Sequence, residues 1–269
     1  MNAFKQNQRL LEINTCYLDS TFLNRKYTEF PTQTESIMEI CNLIEYWLKH
    51  DPKNIVSIKL PARYGYEYLF IEIYKRFNIK IHANNYENYL YLQEMDNCFT
   101  NDGSKTRIHA CFLKSKMTNQ NKYCKALIAQ ENYLLTICPS ALIWTNWSVK
   151  DKISYIDRKE KNLYRVCYSN HSSLNEIKDF LLYLKPENVH FNVQPANAKE
   201  NQLMENLLVE IMDYYIPKMV VCEEKSNNFI KFNNLFKTNN KCKKKSYDYD
   251  SLDEDIPFYD DKIIKRIKN

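Results

Sequence analysis

The chain has 269 residues, 44% of them hydrophobic and 14% aromatic, and a net charge of +5. That length and apolar content allow one large domain or two small ones around a real core, and the mild positive charge permits a nucleic-acid partner without demanding one. Only two glycines occur, Gly65 and Gly103, so neither a Walker loop nor a dinucleotide-binding glycine cluster can form, and nucleotide chemistry of those kinds is excluded.

In chain order, "TCYLDSTF" (Thr15 to Phe22) predicts a short strand that ends at Asp19. "TQTE" (Thr32 to Glu35), after Pro31, is a capping box, and Ile37, Ile40, Cys41, Ile44 and Trp47 follow at helical spacing, so a helix runs to about His50. "NIVSIKL" (Asn54 to Leu60) predicts a strand, "YEYLFIEIYKRF" (Tyr66 to Phe77) an amphipathic helix, and "IKIHA" (Ile79 to Ala83) a second strand. "RIHACF" (Arg107 to Phe112), "YLLTIC" (Tyr133 to Cys138) and "LYRVCYS" (Leu163 to Ser169) predict further strands. "HSSLNEIKDFLLYL" (His171 to Leu184) is a helix with a second capping box, Ser173 and Glu176, and "NVHFNV" (Asn188 to Val193) is another strand. Strands alternating with helices at short spacing give an α/β architecture. A last helix, Glu200 to Tyr215, places Leu203, Leu207, Ile211 and Tyr214 on one face. From Cys222 the alternating blocks of basic and acidic residues predict a disordered tail, 217–269 in round bounds.

The nine cysteines are scattered and odd in number, and neither a signal-like leader nor a membrane-length apolar run accompanies them. The expectation is a reducing, intracellular compartment in which cysteines are buried hydrophobes or metal ligands, with no membrane as partner.

Two constellations carry chemistry. On a strand, His109 and Cys111 project to the same face. With His82 at the end of a neighbouring strand and Cys124 in a polar segment, they offer the two imidazoles and two thiolates of a closed tetrahedral zinc site. The same residues also read as a satisfied core histidine and ordinary buried cysteines, and spacing alone leaves both open. The second constellation is His171 in "YSNHSS", between a strand end and a helix start, with Asp19 at another strand end. Ligands and catalytic groups gather at such ends; a loop histidine beside a cap and a turn aspartate are the plainer alternatives. The five histidines form no H-x-H-x-D-H cluster, and no serine or cysteine sits in a nucleophile elbow.

"YLDSTF", "YGYEYLF", "RIHAC" and "YSNHSSLNEIKDFLLYLKPENV", in that order, resemble the Artemis branch of the metallo-β-lactamase-fold DNA repair nucleases, which carry a β-CASP domain inserted in the lactamase fold. The likeness runs from about Cys16 to Pro195. It implies residues 1–33 as the end of a first lactamase segment, 34–152 as β-CASP, and 153–216 as the returning lactamase segment with the C-terminal strands and helix of an αββα sandwich. It implies Asp19 as the acidic residue near the catalytic centre and His171 as a ligand of the second catalytic ion. His82, His109, Cys111 and Cys124 become a structural zinc site within β-CASP, with a loop before Cys124 that is shorter than in the family.

The implied function is a metal-dependent endonuclease and 5′-exonuclease on DNA ends, hairpins and overhangs. It would serve double-strand break repair by non-homologous end joining, recombination and cross-link repair in the nucleus. Zn2+, or Mg2+ or Mn2+, would occupy the catalytic centre. A DNA-dependent protein kinase and a DNA ligase would be partners, and Arg63, Lys114 and Lys116 would reach DNA phosphates. The family's H-x-H-x-D-H cluster lies upstream of "YLDSTF" and is not in these residues, so the chain reads as a catalytically incomplete piece with the first half of the sandwich missing. On that reading the strands at Thr15 to Phe22, Leu163 to Ser169 and Asn188 to Val193 lack partners on one side. A non-catalytic DNA- or partner-binding β-CASP module is the alternative. An RNA-processing relative fits "HSS" and the two-His, two-Cys set less well.

Overall fold

In the computed structural model, residues 13–83, 86–89, 91–111, 124–193, 195 and 197–213 are described; Lys114, Lys116 and the predicted tail lie outside them. The first long element is set by local chemistry. Thr32 caps helix α1 (Gln33–His50): its hydroxyl accepts from the Glu35 amide, and the Glu35 carboxylate accepts from the Thr32 amide at 2.8 Å. Such a reciprocal cap satisfies two amide groups that the first turn would otherwise leave open. Ile37, Ile40, Cys41, Ile44 and Leu48 then fall on one buried stripe. Trp47 is only half-buried, and its indole N–H donates to the Ile55 carbonyl at 3.0 Å.

Strands β1 (Thr15–Leu18), β2 (Ile55–Ile58), β3 (Ile81–His82), β4 (Phe99–Thr100), β5 (Ile108–His109), β6 (Leu134–Pro139), β7 (Ser154–Ile156), β8 (Leu163–Val166) and β9 (Asn188–Phe191) form two sheets. The larger has the order β4-β3-β5-β2-β6-β8-β7 and is parallel except for the β7–β8 pair. Its central strand β2 is buried at all four positions, as a parallel strand covered on both faces must be. Helix α2 (Glu67–Phe77) joins α1 in one core, where Ile40, Ile44, Leu69, Phe70 and Ile73 are excluded from water with Val56, Ile108 and Ile137. Burying each such side chain contributes about 1.5–3 kcal/mol.

The smaller sheet pairs β1 with β9 in parallel, Thr15 opposite Asn188 and Leu18 opposite Phe191. Helices α4 (Leu174–Leu184) and α5 (Ala198–Asp213) cover it through Leu174, Ile177 and Leu181 on one and Met204, Leu207, Leu208 and Ile211 on the other. The short helix α3 (Lys125–Ile128) lies between β5 and β6 in sequence. No helix among the described residues is long and apolar enough to cross a membrane.

Three expectations change. Leu163–Val166 does not sit with β1 and β9 as a strand open on one side. It is β8 of the large sheet, flanked by β6 (Thr136 opposite Leu163) and by β7. The division expected at residue 152 therefore runs through that sheet. Apolar Leu163 and Val166 are buried there, and Asp157 takes a 2.6 Å hydrogen bond from Arg165, which fastens the edge strand. On α5, Leu203 is exposed and Met204 and Leu208 take its place, because the covered stripe lies one residue further round the helix. Strand β5 is two residues long, so Cys111 stands just past it rather than on it.

One buried contact joins α1 to the end of β8. The Ser36 hydroxyl donates to the Cys167 carbonyl at 2.6 Å. Replacing Ser36 by Ala leaves that carbonyl buried and unpaired, and should cost about 1–3 kcal/mol in urea unfolding. Met38→Ala, at a site 55% exposed on the same helix, should change little; equal costs at both positions would contradict the account.

Candidate functional site

The parallel pairing of β3, β5, β2, β6 and β8 brings their carboxyl ends to one edge of the large sheet. His82 and His109 are the last residues of β3 and β5 and stand directly opposite in register, so both side chains leave the same face. The Ala110 amide donates to the His82 carbonyl at 2.8 Å, and this carries the chain on to Cys111. Cys124 arrives as the residue before α3, held where the Lys125 amide meets the Gly103 carbonyl.

All four side chains are buried, and their donor atoms lie within 4.8 Å of one another. The two imidazole Nδ1 atoms are 3.3 Å apart and the two sulfurs 3.7 Å apart. Cys111 Sγ is 3.1 Å from His82 Nδ1, and Cys124 Sγ is 3.4 Å from His109 Nδ1. A tetrahedral ion bound at ~2.3 Å to sulfur and ~2.05 Å to nitrogen sets edges of about 3.8 Å for S–S, 3.3 Å for N–N and 3.5 Å for S–N. The donors thus fit a metal of that size and ligand preference.

The Cys124 thiol is driven well below its ordinary range, first by the Cys111 thiol beside it and then by the imidazoles, against burial that raises it. A thiol so disposed becomes the thiolate that metals take. Among the described residues His109 Nε2 is buried without a partner, the cost of turning Nδ1 to the cluster. Ile55, Ala126 and Leu134 form an apolar wall behind the two sulfurs. No disulfide links the cysteines among the described residues.

Gly103 completes this site. A Cβ there would stand 2.8 Å from both Cε1 and Nδ1 of His82 and 3.0 Å from the Cys124 backbone. No side chain fits between a donor imidazole and the backbone of a second donor. Sequence reasoning passed over this residue.

The second pair also forms. Asp19 follows β1, and His171 lies between β8 and Ser173, the cap of α4. Asp19 divides its oxygens: Oδ1 accepts from the amide and hydroxyl of Thr21, at 2.9 and 2.6 Å, and Oδ2 pairs with His171 Nδ1 at 2.8 Å. It is therefore a turn aspartate and a histidine partner at once. Burial acts to raise its pKa, but the Thr21 bonds and then His171 outweigh burial and hold it below the usual carboxylate range. Phe22 and the imidazole meet in a T-shaped contact, centroids 5.9 Å apart. With Nδ1 engaged, Nε2 is the atom of His171 left to meet a ligand, and nearly half of the side chain is open to solvent.

Arg63 is exposed in the loop that follows β2 and leads through Gly65 to α2. The Tyr64 carbonyl of that loop accepts from Asn170, the residue before His171, at 3.4 Å. Arg63 therefore belongs to the same end of the sheet as the Asp19–His171 pair. Lys114 and Lys116 cannot be placed, since they fall outside the described residues.

Residues 93–197 match the family described as DNA repair metallo-beta-lactamase. The chain is 31% identical over 212 residues to "Protein artemis" of Homo sapiens and 32% identical over 212 residues to that of Gallus gallus. It is 25% identical over 216 residues to "DNA cross-link repair protein SNM1" of Arabidopsis thaliana. This is an Artemis-like DNA repair metallo-beta-lactamase chain. The human and chicken alignments cover 77% of it, yet it spans only 30% and 29% of those proteins; for the Arabidopsis protein the shares are 76% and 43%.

The purified chain should hold one divalent ion, and Cys111→Ser should lose it and melt at lower temperature. Gly103→Ala removes no donor, yet by displacing His82 it should release the ion at least about tenfold more readily to a competing chelator, the scale seen when a ligand's support is disturbed. Retention equal to that of the parent chain would show that Gly103 does not shape the site.

Proposed function

We propose that this chain supplies the β-CASP portion and the returning lactamase segment of a metal-dependent DNA nuclease that acts on ends, hairpins and overhangs. The observation that carries the reading is the Asp19–His171 pair, 2.8 Å apart at strand ends of two different sheets, within an Artemis-like chain. The ion of the His82, His109, Cys111 and Cys124 cluster is zinc on this reading, chosen for two sulfur and two nitrogen donors, and its role is to hold the lobe together rather than to react.

At the catalytic end, His171 would hold one ion of the centre through Nε2, with Zn2+, Mg2+ or Mn2+ as candidates. When bound, such ions activate water and neutralise charge on the scissile phosphate. The part of this chain is to orient. Asp19 fixes the tautomer and tilt of the imidazole by accepting from Nδ1, and Thr21 fixes Asp19. Arg63 offers a phosphate contact beside the pair. The remaining ligands, the H-x-H-x-D-H donors, are not among the 269 residues, so cleavage requires a segment that carries them. The resemblance also favours nuclear repair by end joining and cross-link repair, with a DNA-dependent kinase and a DNA ligase as partners.

Titration of hairpin and overhang DNA against the 269-residue chain tests this directly. Binding that weakens steeply with salt is expected, without cleavage. Joining a segment with the missing donors should bring metal-dependent cleavage, and His171→Ala should then lower it by at least about 100-fold while binding stays within about twofold, the pattern of a group used only in the chemical step. Binding without cleavage even in the joined protein would favour the non-catalytic module, and no DNA binding would contradict both readings.

A further inference from the structure

The loop between β2 and α2 exposes the ring of Tyr64, and the segment after β3 brings a second exposed ring, Tyr91, against the start of α2. Tyr64 is 55% exposed and Tyr91 63% exposed, with Arg63 open beside them. The backbone beneath these tips is pinned from several sides. The Tyr89 hydroxyl donates to the Arg63 carbonyl, Asn170 Nδ2 to the Tyr64 carbonyl at 3.4 Å, and the Tyr168 hydroxyl to the Gly65 carbonyl at 3.3 Å. Glu67 accepts from the Gly65 amide through one oxygen and from the Tyr91 hydroxyl through the other, each at 2.9 Å.

Gly65 is required for this arrangement. Its φ is +92°, and a Cβ there would meet the Asn170 side chain at 2.6 Å. The loop is thereby locked against the residue that precedes His171. From below, the buried Tyr89 ring meets Tyr64 in a T-shaped contact at 6.4 Å, and Tyr89 itself stacks on Phe99 at 5.5 Å and meets Phe70 at 5.4 Å. Tyr64 is therefore an exposed ring on a stiff support rather than a side chain on a loose loop. Stiff aromatic faces next to a basic group are how proteins take unpaired bases, because every base has a π-face and an immobile ring loses little entropy on stacking.

We propose that Tyr64, flanked by Arg63 and Tyr91, is a stacking platform for an unpaired base beside the Asp19–His171 pair, and so selects DNA with single-stranded ends or hairpin loops over blunt duplex. The inference rests on the DNA-nuclease reading and adds to it the side chains that would recognise the unpaired part of the substrate. Arg63 acts on the adjoining phosphate. The Glu67 carboxylate near the platform is already engaged by Gly65 and Tyr91.

The test uses the 269-residue chain and two probes. One is a hairpin with a short single-stranded overhang carrying 2-aminopurine, and the other is a blunt duplex of the same stem. Tyr64→Ala should weaken binding of the overhang probe about 5- to 160-fold, the range for loss of one stacked base. It should abolish the quenching of 2-aminopurine and leave blunt-duplex binding and the salt slope unchanged. Tyr64→Trp should keep the quenching, and Tyr46→Ala, at an exposed tyrosine on α1, should behave as wild type. Arg63→Ala should instead lower the salt slope by about one on both probes. Wild-type affinity and quenching in Tyr64→Ala would overturn the platform while leaving the nuclease reading intact. A parent chain that binds neither probe would overturn both.

Discussion

Four buried donors from three separate parts of the chain meet at one point, and the lobe around them depends on that meeting. Two imidazoles and two thiols, each less than a tenth exposed, have no water to satisfy them. Buried polar groups satisfied mainly by one another are costly to hold together, and a bound cation converts that cost into a cross-link. The strands that carry His82 and His109 are two residues long and at Cys111 the ladder has already ended, so hydrogen bonding alone ties this side of the sheet weakly. An ion held by the four donors would tie β3, β5 and the start of α3 together and so compensate for short pairing.

The same parallel sheet explains why two chemically different sites share an edge. Strands that run together end together, and polar side chains beyond those ends are free of the ladder. On one flank the ends carry metal donors. On the other they carry Asn170 and His171, which meet Asp19 from the smaller sheet. Both glycines of the chain stand at these places, Gly103 against His82 and Gly65 against Asn170. In a sequence so poor in glycine, each marks a spot where a side chain cannot be accommodated.

Much of this was legible in the residues. Capping boxes at Thr32 and Ser173 announced α1 and α4, since a cap is chemistry within four residues. The donor set, and Asp19 and His171 separately, were named from strand ends and from the family's motifs; that the last two meet came only with the fold. What escaped depended on distant partners. The partners of β8 are β6 and β7, and nothing in "LYRVCYS" encodes them. On α5, Leu203 and Met204 are equally apolar, and only the position of the small sheet decides which is covered. Gly103 and Gly65 were read as a shortage that excluded nucleotide loops, and their closeness to His82 and Asn170 arises only from the fold. A turn aspartate and an acidic residue near the catalytic centre looked like alternatives for Asp19, yet one oxygen serves the Thr21 turn and the other pairs with His171.

X-ray absorption at the zinc edge of the purified chain tests the account most directly. The account predicts one zinc per chain, with two sulfur neighbours at about 2.3 Å and two nitrogen neighbours at about 2.0–2.1 Å. A folded chain without stoichiometric zinc, or with a shell of light atoms only, would contradict it.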